Sequence, residues 1–114
     1  MEARPREILR YITIDGKVPF TEWLDKLKDK KAKAKIKERL TRVSLGNLGD
    51  YKSVGENVFE LRIDYGSGYR VYFGMSGSTI VLLLLGGDKS TQDKDILRAR
   101  EYWVDYEETE NGNE

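Results

Sequence analysis

The chain has 114 residues, of which 39% are hydrophobic and 35% charged. That length accommodates one domain with one modest core and leaves no room for a second. It contains no Cys and no His, which excludes a disulfide framework, a zinc finger, a thiol nucleophile and a Ser-His-Asp triad. Proton transfer therefore falls to carboxylates, Lys, Tyr or charge stabilised by Arg. No Asp-rich loop shows calcium-ligand spacing, and no metal or other cofactor is expected.

Taken in chain order, Glu7 to Thr13 reads as a strand, closed by the Asp15-Gly16 turn signal. Ahead of it, Met1-Glu2-Ala3-Arg4-Pro5 carries no apolar stretch behind its charges, so no signal peptide is expected. Pro19 suits a helix start, and Phe20, Trp23, Leu24 and Leu27 follow at helical spacing over about 19–29. A second helix fits about 31–45, with Ala32, Ile36, Leu40, Val43 and Leu45 on its apolar stripe and Gly46 as its stop. The short link between them favours a helical hairpin. Residues 46–56 contain three glycines and read as a loop.

The period then changes. Phe59, Leu61 and Ile63 alternate with Val58, Glu60 and Arg62. After the turn Gly66-Ser67-Gly68, Val71 and Phe73 alternate with Arg70 and Tyr72. After Ser76-Gly77, Thr79 to Leu85 is apolar on both faces and so expected to be central and covered. Its apolar run, Ile80 to Leu85, is six residues, against the roughly 20 that a membrane helix requires. Gly86-Gly87 ends this strand, and a last helix fits about 91–105, with Ile96, Ala99, Tyr102 and Trp103 buried. The order β-α-α-β-β-β-α predicts an α+β domain over 1–104, an antiparallel sheet with a helical hairpin and a C-terminal helix on one side. Residues 105–114 are expected to form an acidic, disordered tail.

The 20 basic and 20 acidic residues balance overall but not locally. Residues 26–42 hold nine bases and two acids, whereas the last ten hold five acids and no base. A polyanion partner is thus compatible with a neutral total. On a helix, such a lysine run is often just a solvated face; Lys35 and Arg39 within it are the candidates for RNA contact. On the strands, Arg62 and Arg70 share the polar face with Tyr72, and Lys89 follows the third strand of the meander directly. Two guanidiniums, an ammonium and a phenol on one concave side would hold phosphate oxygens and stack an unpaired base. The plainer alternative is a cross-strand pairing of Arg with Glu60. Gly86-Gly87-Asp88-Lys89-Ser90 lacks the spacing of a phosphate-binding Gly-Lys-Ser loop, so a nucleotidase is rejected.

Val58-Phe59-Glu60-Leu61-Arg62, Gly68-Tyr69-Arg70-Val71-Tyr72-Phe73 and Leu83-Leu84-Leu85-Gly86-Gly87-Asp88-Lys89-Ser90-Thr91-Gln92-Asp93-Lys94-Asp95-Ile96 resemble the RelE/ParE toxin superfamily. The likeness is to the HigB-like addiction module killer branch related to phage host-killing proteins, and Pro19-Phe20 with Trp23-Leu24 fits that branch's first helix. The resemblance implies a RelE-like fold and a cytoplasmic, ribosome-dependent mRNA endoribonuclease. It also implies a small helix-turn-helix antitoxin as partner. By the same likeness Arg70 and Lys89 are catalytic cations and Arg62 a third. The family's catalytic Tyr has no counterpart; its place falls near Asp95, which becomes a candidate for proton transfer. The expected free form is a monomer with no membrane attachment. ParE-like relatives, which bind DNA gyrase, and a decayed phage protein that only binds its antitoxin are the alternatives.

Overall fold

The computed structural model describes residues 4–112; Met1–Ala3, where the signal-peptide expectation begins, and residues 113–114 lie outside the described residues. Strand β1 (Glu7–Arg10) is followed by helices α1 (Pro19–Lys26) and α2 (Lys30–Ser44). Strands β2 (Tyr51–Gly55), β3 (Val58–Ile63), β4 (Tyr69–Ser76) and β5 (Ile80–Gly87) come next, then a 3-10 turn (Lys89–Thr91) and helix α3 (Gln92–Gly112). The sheet has the order β1-β5-β4-β3-β2. Its β2–β5 ladders are antiparallel, whereas β1 runs parallel to β5, so the sheet is mixed.

The two helices begin as their residues dictate. Pro19 fills the first turn of α1, where no amide partner is needed. Asp29 caps α2 by accepting from the amides of Lys31 (3.0 Å) and Ala32 (3.1 Å). At the other end, the amide of Gly46, at φ +98°, donates to the carbonyl of Val43 at 2.9 Å.

Strand β2 corrects the expected loop over residues 46–56. It is an exposed edge strand with Lys52 and Ser53 outward and a register shift between Ser53 and Gly55, so it lacks the apolar alternation that signals a strand. Its hairpin turn is made by Glu56 (φ 59°) and Asn57 (φ 64°), a left-handed pair without the usual glycine.

Helices cover both faces of the sheet, not one. Leu61, Ile63, Val71, Phe73, Val81 and Leu83 pack against Phe20, Leu24, Ile36, Leu40 and Val43 of α1 and α2. On the opposite face Val58, Tyr72, Leu82, Leu84 and Leu85 pack with Ala99 and Trp103 of α3. The apolar character of β5 on both faces is the sequence feature that requires this second layer. Trp103 reaches the sheet because Gly74 has no side chain: a Cβ there would overlap the indole ring.

Helix α3 also runs beyond the expected end at residue 105, to Gly112. Its extension is tied down locally. The Tyr11 hydroxyl donates to Asp105 Oδ2 at 2.6 Å, Tyr11 stacks on Tyr102 at 4.9 Å, and Tyr106 stacks on Trp103 at 5.4 Å. No helix among the described residues is long and apolar enough to cross a membrane.

Candidate functional site

The antiparallel register of β3 and β4 sets Arg62 opposite Arg70 and Glu60 opposite Tyr72. Residues two apart on a strand share a face, so all four side chains lie on the α3 side. Two like charges directly opposite each other repel. Glu60 relieves this from a fully buried position. Its Oε1 accepts from Arg62 Nε at 3.1 Å, and its Oε2 lies 3.5 Å from Arg70 Nε. The same Oε2 accepts from the Tyr72 hydroxyl at 3.1 Å and from Gln92 Nε2 at 2.8 Å. Burial pushes the Glu60 carboxyl up, but the hydrogen bonds from Gln92, Arg62 and Tyr72 and the charge of Arg70 together hold it below the usual glutamate range. Gln92 opens α3, so this one carboxylate joins two strands and the start of a helix.

Arg70 is further fixed by donating from Nη1 to the carbonyl of Gly68 at 2.7 Å. Its side chain is 11% exposed and that of Arg62 39%. Gly68 (φ +80°) also brings Lys89 alongside: a Cβ at this glycine would stand 3.2 Å from Arg70 Nη1 and 3.6 Å from Lys89 Cβ. Arg70 and Lys89 therefore flank one point at one end of the sheet. Asp88 holds the turn that carries Lys89, accepting from the Ser90 amide at 2.9 Å and from Ser67 Oγ at 3.5 Å. Lys89 is exposed and makes no ion pair among the described residues.

Other expected residues fall elsewhere. Tyr72 is fully buried beneath α3, not open on a concave face, because α3 covers the strand positions expected to face outward. Burial and the neighbouring Glu60 carboxylate push its phenol far above the usual range, so it neither stacks a base nor takes a proton. Asp95 is buried as well. Its Oδ2 accepts from Thr91 Oγ1 at 2.5 Å, and none of its hydrogen bonds or ion pairs is to Arg62, Arg70 or Lys89.

Lys35 is exposed on α2, with its ammonium 5.4 Å from the centroid of Tyr65. Arg39 is 8% exposed, and its Nη2 donates to the carbonyls of Leu48 (2.7 Å) and Asp50 (3.2 Å). The Asp50 carbonyl also accepts from the Arg62 amide at 3.0 Å. Arg39 thus fastens the approach to β2 onto β3, and burial, then Arg42, draws its guanidinium below its ordinary value. Lys35, Arg39, Arg42 and Arg62 nevertheless line one cleft of ≈ 350 Å³ at the sheet edge. No group of three or more carboxylates able to hold a metal ion lies among the described residues.

The profile of a family described as "Phage derived protein Gp49-like (DUF891)" matches residues 22–102. The chain belongs to this Gp49-like family. The family is related to RelE- and HigB-like toxins. The matched segment runs from α1 into α3 and contains every residue of the cluster above. A relative from Haemophilus influenzae, described only as an uncharacterized protein, is 55% identical over 89 residues, covering 78% of this chain and 90% of the relative.

Two members of the site escape a linear reading. Glu60 looks like an ordinary pairing partner for one Arg; only the register that puts Glu60 beside Tyr72 and Arg62 beside Arg70 shows that it serves both. Gln92 lies 32 residues further on and meets Glu60 only through the packing of α3. Aligning the two strands about the Gly66-Ser67-Gly68 turn would have exposed the first; nothing local signals the second.

Proposed function

We propose that this chain is the toxin of a type II toxin–antitoxin pair and that it cleaves ribosome-bound mRNA. The single observation that carries the reading is that the Arg70 guanidinium and the base of the Lys89 side chain flank Gly68, with Arg62 opposite and Glu60 bracing both guanidiniums. The RelE-like fold and the Gp49-like membership point the same way.

The chemistry follows from what these groups can do. The ribose 2′-oxygen attacks the adjacent phosphorus, the O2′–P bond forms and the P–O5′ bond breaks. The products are a 2′,3′-cyclic phosphate and a 5′-hydroxyl. Negative charge grows on the phosphoryl oxygens in the transition state. Arg70 offers a guanidinium fork held in place before substrate arrives, which avoids reorganisation during the reaction. Lys89, exposed beside it, can give a proton to the leaving O5′, and the proton of the attacking 2′-hydroxyl passes to solvent water. Arg62 adds a further charge across the strand. Each well-aimed donor of this kind contributes about 3–4 kcal/mol to lowering the barrier. Glu60 accepts three hydrogen bonds and pairs with a fourth group, the Arg70 guanidinium, so it orients the cations and is not a base. Lys35 and the sheet-edge cleft would track the flanking RNA backbone.

The partner in this reading is a small helix-turn-helix antitoxin that masks the cations in the cytoplasm. The test is expression of the chain followed by primer extension on cellular mRNA. Cuts within codons, absent with Arg70→Ala, are the expected result. Intact mRNA with an induced SOS response would instead indicate a gyrase-directed toxin, and no growth defect an inactive antitoxin-binding protein.

A further inference from the structure

Strand β1 pairs with β5 only from Glu7 with Ile80 to Arg10 with Leu83, and its last bond runs from the Tyr11 amide to the Leu83 carbonyl at 2.9 Å. Beyond Leu83 the outer edge of β5 has no strand beside it. A cleft of ≈ 490 Å³ opens there between α1 and α3, within the size range of small-molecule sites. Two glycines make it possible. A Cβ on Gly86 would overlap the Trp23 indole on one side, and a Cβ on Gly87 would overlap the Asp95 carboxylate on the other. The Trp23 indole and the Asp95 carboxylate thus meet β5 from opposite faces, and both border the cleft at its free edge.

Asp95 is 8% exposed, and its Oδ1 is not among the buried atoms left without a partner, so this oxygen reaches the solvent side of the cleft. Its Oδ2 takes the Thr91 hydroxyl, while its Oδ1 makes no hydrogen bond and the group makes no ion pair among the described residues. Burial raises the Asp95 pKa in spite of Thr91 and Arg98. Asp88, the neighbouring carboxylate, is already bonded to Ser90. The cleft also adjoins the phosphate site, because Gly87 is the register partner of Arg70.

We infer that this cleft is a base-recognition subsite that takes guanine, and this rests on the RNA-cleaving reading above. Guanine alone among the four bases presents two adjacent donors, N1–H and N2–H, on its Watson–Crick edge, and these match the two oxygens of a carboxylate. Adenine and cytosine set an acceptor nitrogen beside their amino group, and uracil flanks its single donor with two acceptors. The ring sits at the free edge of β5 with the Trp23 indole bordering it, and Lys26 and Arg98 at the rim face its ribose phosphate. Asp95 is thus a specificity residue next to the cations and not the proton acceptor its position in the chain suggests.

The experiment is a titration of the full chain with GMP, AMP, CMP and UMP, read by indole fluorescence. Trp23 lines the cleft, whereas Trp103 is buried and serves as the silent background. GMP is expected to bind about tenfold or more tightly than the others, the discrimination that one bidentate base contact supplies. Asp95→Asn is isosteric and should abolish that preference with an unchanged circular dichroism spectrum; Trp23→Phe should remove the quenching while calorimetry still detects GMP. Equal binding of all four nucleotides by the native chain, or a preference that survives in Asp95→Asn, overturns the inference. The same titration on Arg70→Ala separates it from the nuclease reading: GMP preference there, with no mRNA cut by the native chain, upholds the cleft and discards cleavage. Codon cuts with equal nucleotide binding do the reverse.

Discussion

Arg62 and Arg70 face each other as register partners across β3 and β4 and share one buried counter-ion, the carboxylate of Glu60. Two guanidiniums on one carboxylate leave a net positive charge at the end of the sheet, and the exposed Lys89 side chain starts beside it. The fold holds that charge in place before any anion arrives, as electrostatic catalysis requires.

Removing the shared counter-ion should be costly. Glu60→Ala leaves two cations crowded against a buried hole, and loss of one partner from a buried pair typically costs about 3–5 kcal/mol. Glu60→Gln keeps the shape and the acceptor oxygen and should lose less. Chemical denaturation of the three proteins gives the order native, Gln, Ala; a Glu60→Ala protein as stable as the native would show that the network carries no stability.

The same residue sets a pH dependence. The folded pKa of Glu60 is depressed, so its contribution is present above the ordinary glutamate value and is lost as pH falls through the folded value. The stability gap between native and Glu60→Gln should therefore be constant near neutral pH and close in acid. Melting temperatures at stepped pH measure it. A gap that widened in acid would reverse the sign of the assignment.

Gly74→Ala should destabilise the fold without touching the cations. The added methyl meets the ring of Trp103, which is 2% exposed and cannot swing away. Overpacking of this kind costs about 1–3 kcal/mol. A melting temperature equal to that of the native chain would mean that α3 does not dock on β4 as described.

Much of this was legible in the residues. The two N-terminal helices showed in the spacing of Phe20, Leu24, Ile36, Leu40 and Val43, and the meander in the alternation of Val58 to Phe73, because burial on one face imposes a period. Strand β2 was illegible because an edge strand with Lys52 and Ser53 outward buries too little to leave a period. The closeness of Arg62, Arg70 and Lys89 could be expected from short turns. The burial of Tyr72 could not, since the polar-looking face of β4 is covered by a helix whose docking depends on Gly74, Trp103 and Tyr11, residues remote from one another in sequence.

Arg70→Lys separates charge from geometry. A lysine keeps the cation but loses the fork that reaches the Gly68 carbonyl and Glu60 at once. If the fork matters, the lysine variant should resemble Arg70→Ala in growth assays. Full inhibition of growth by Arg70→Lys would show that a point charge suffices there.

The central claim is that these cations cleave RNA, and the most direct measurement is of product ends. A translating extract with a defined mRNA, supplied with native chain or Arg70→Ala, is analysed for new 5′-hydroxyl and 2′,3′-cyclic phosphate termini. The expected result is such termini within the reading frame for the native chain, reduced by about 10²–10³-fold for the variant, the usual effect of deleting one transition-state donor. Equal yields from both proteins, or no new termini from the native chain while translation proceeds, would contradict the account.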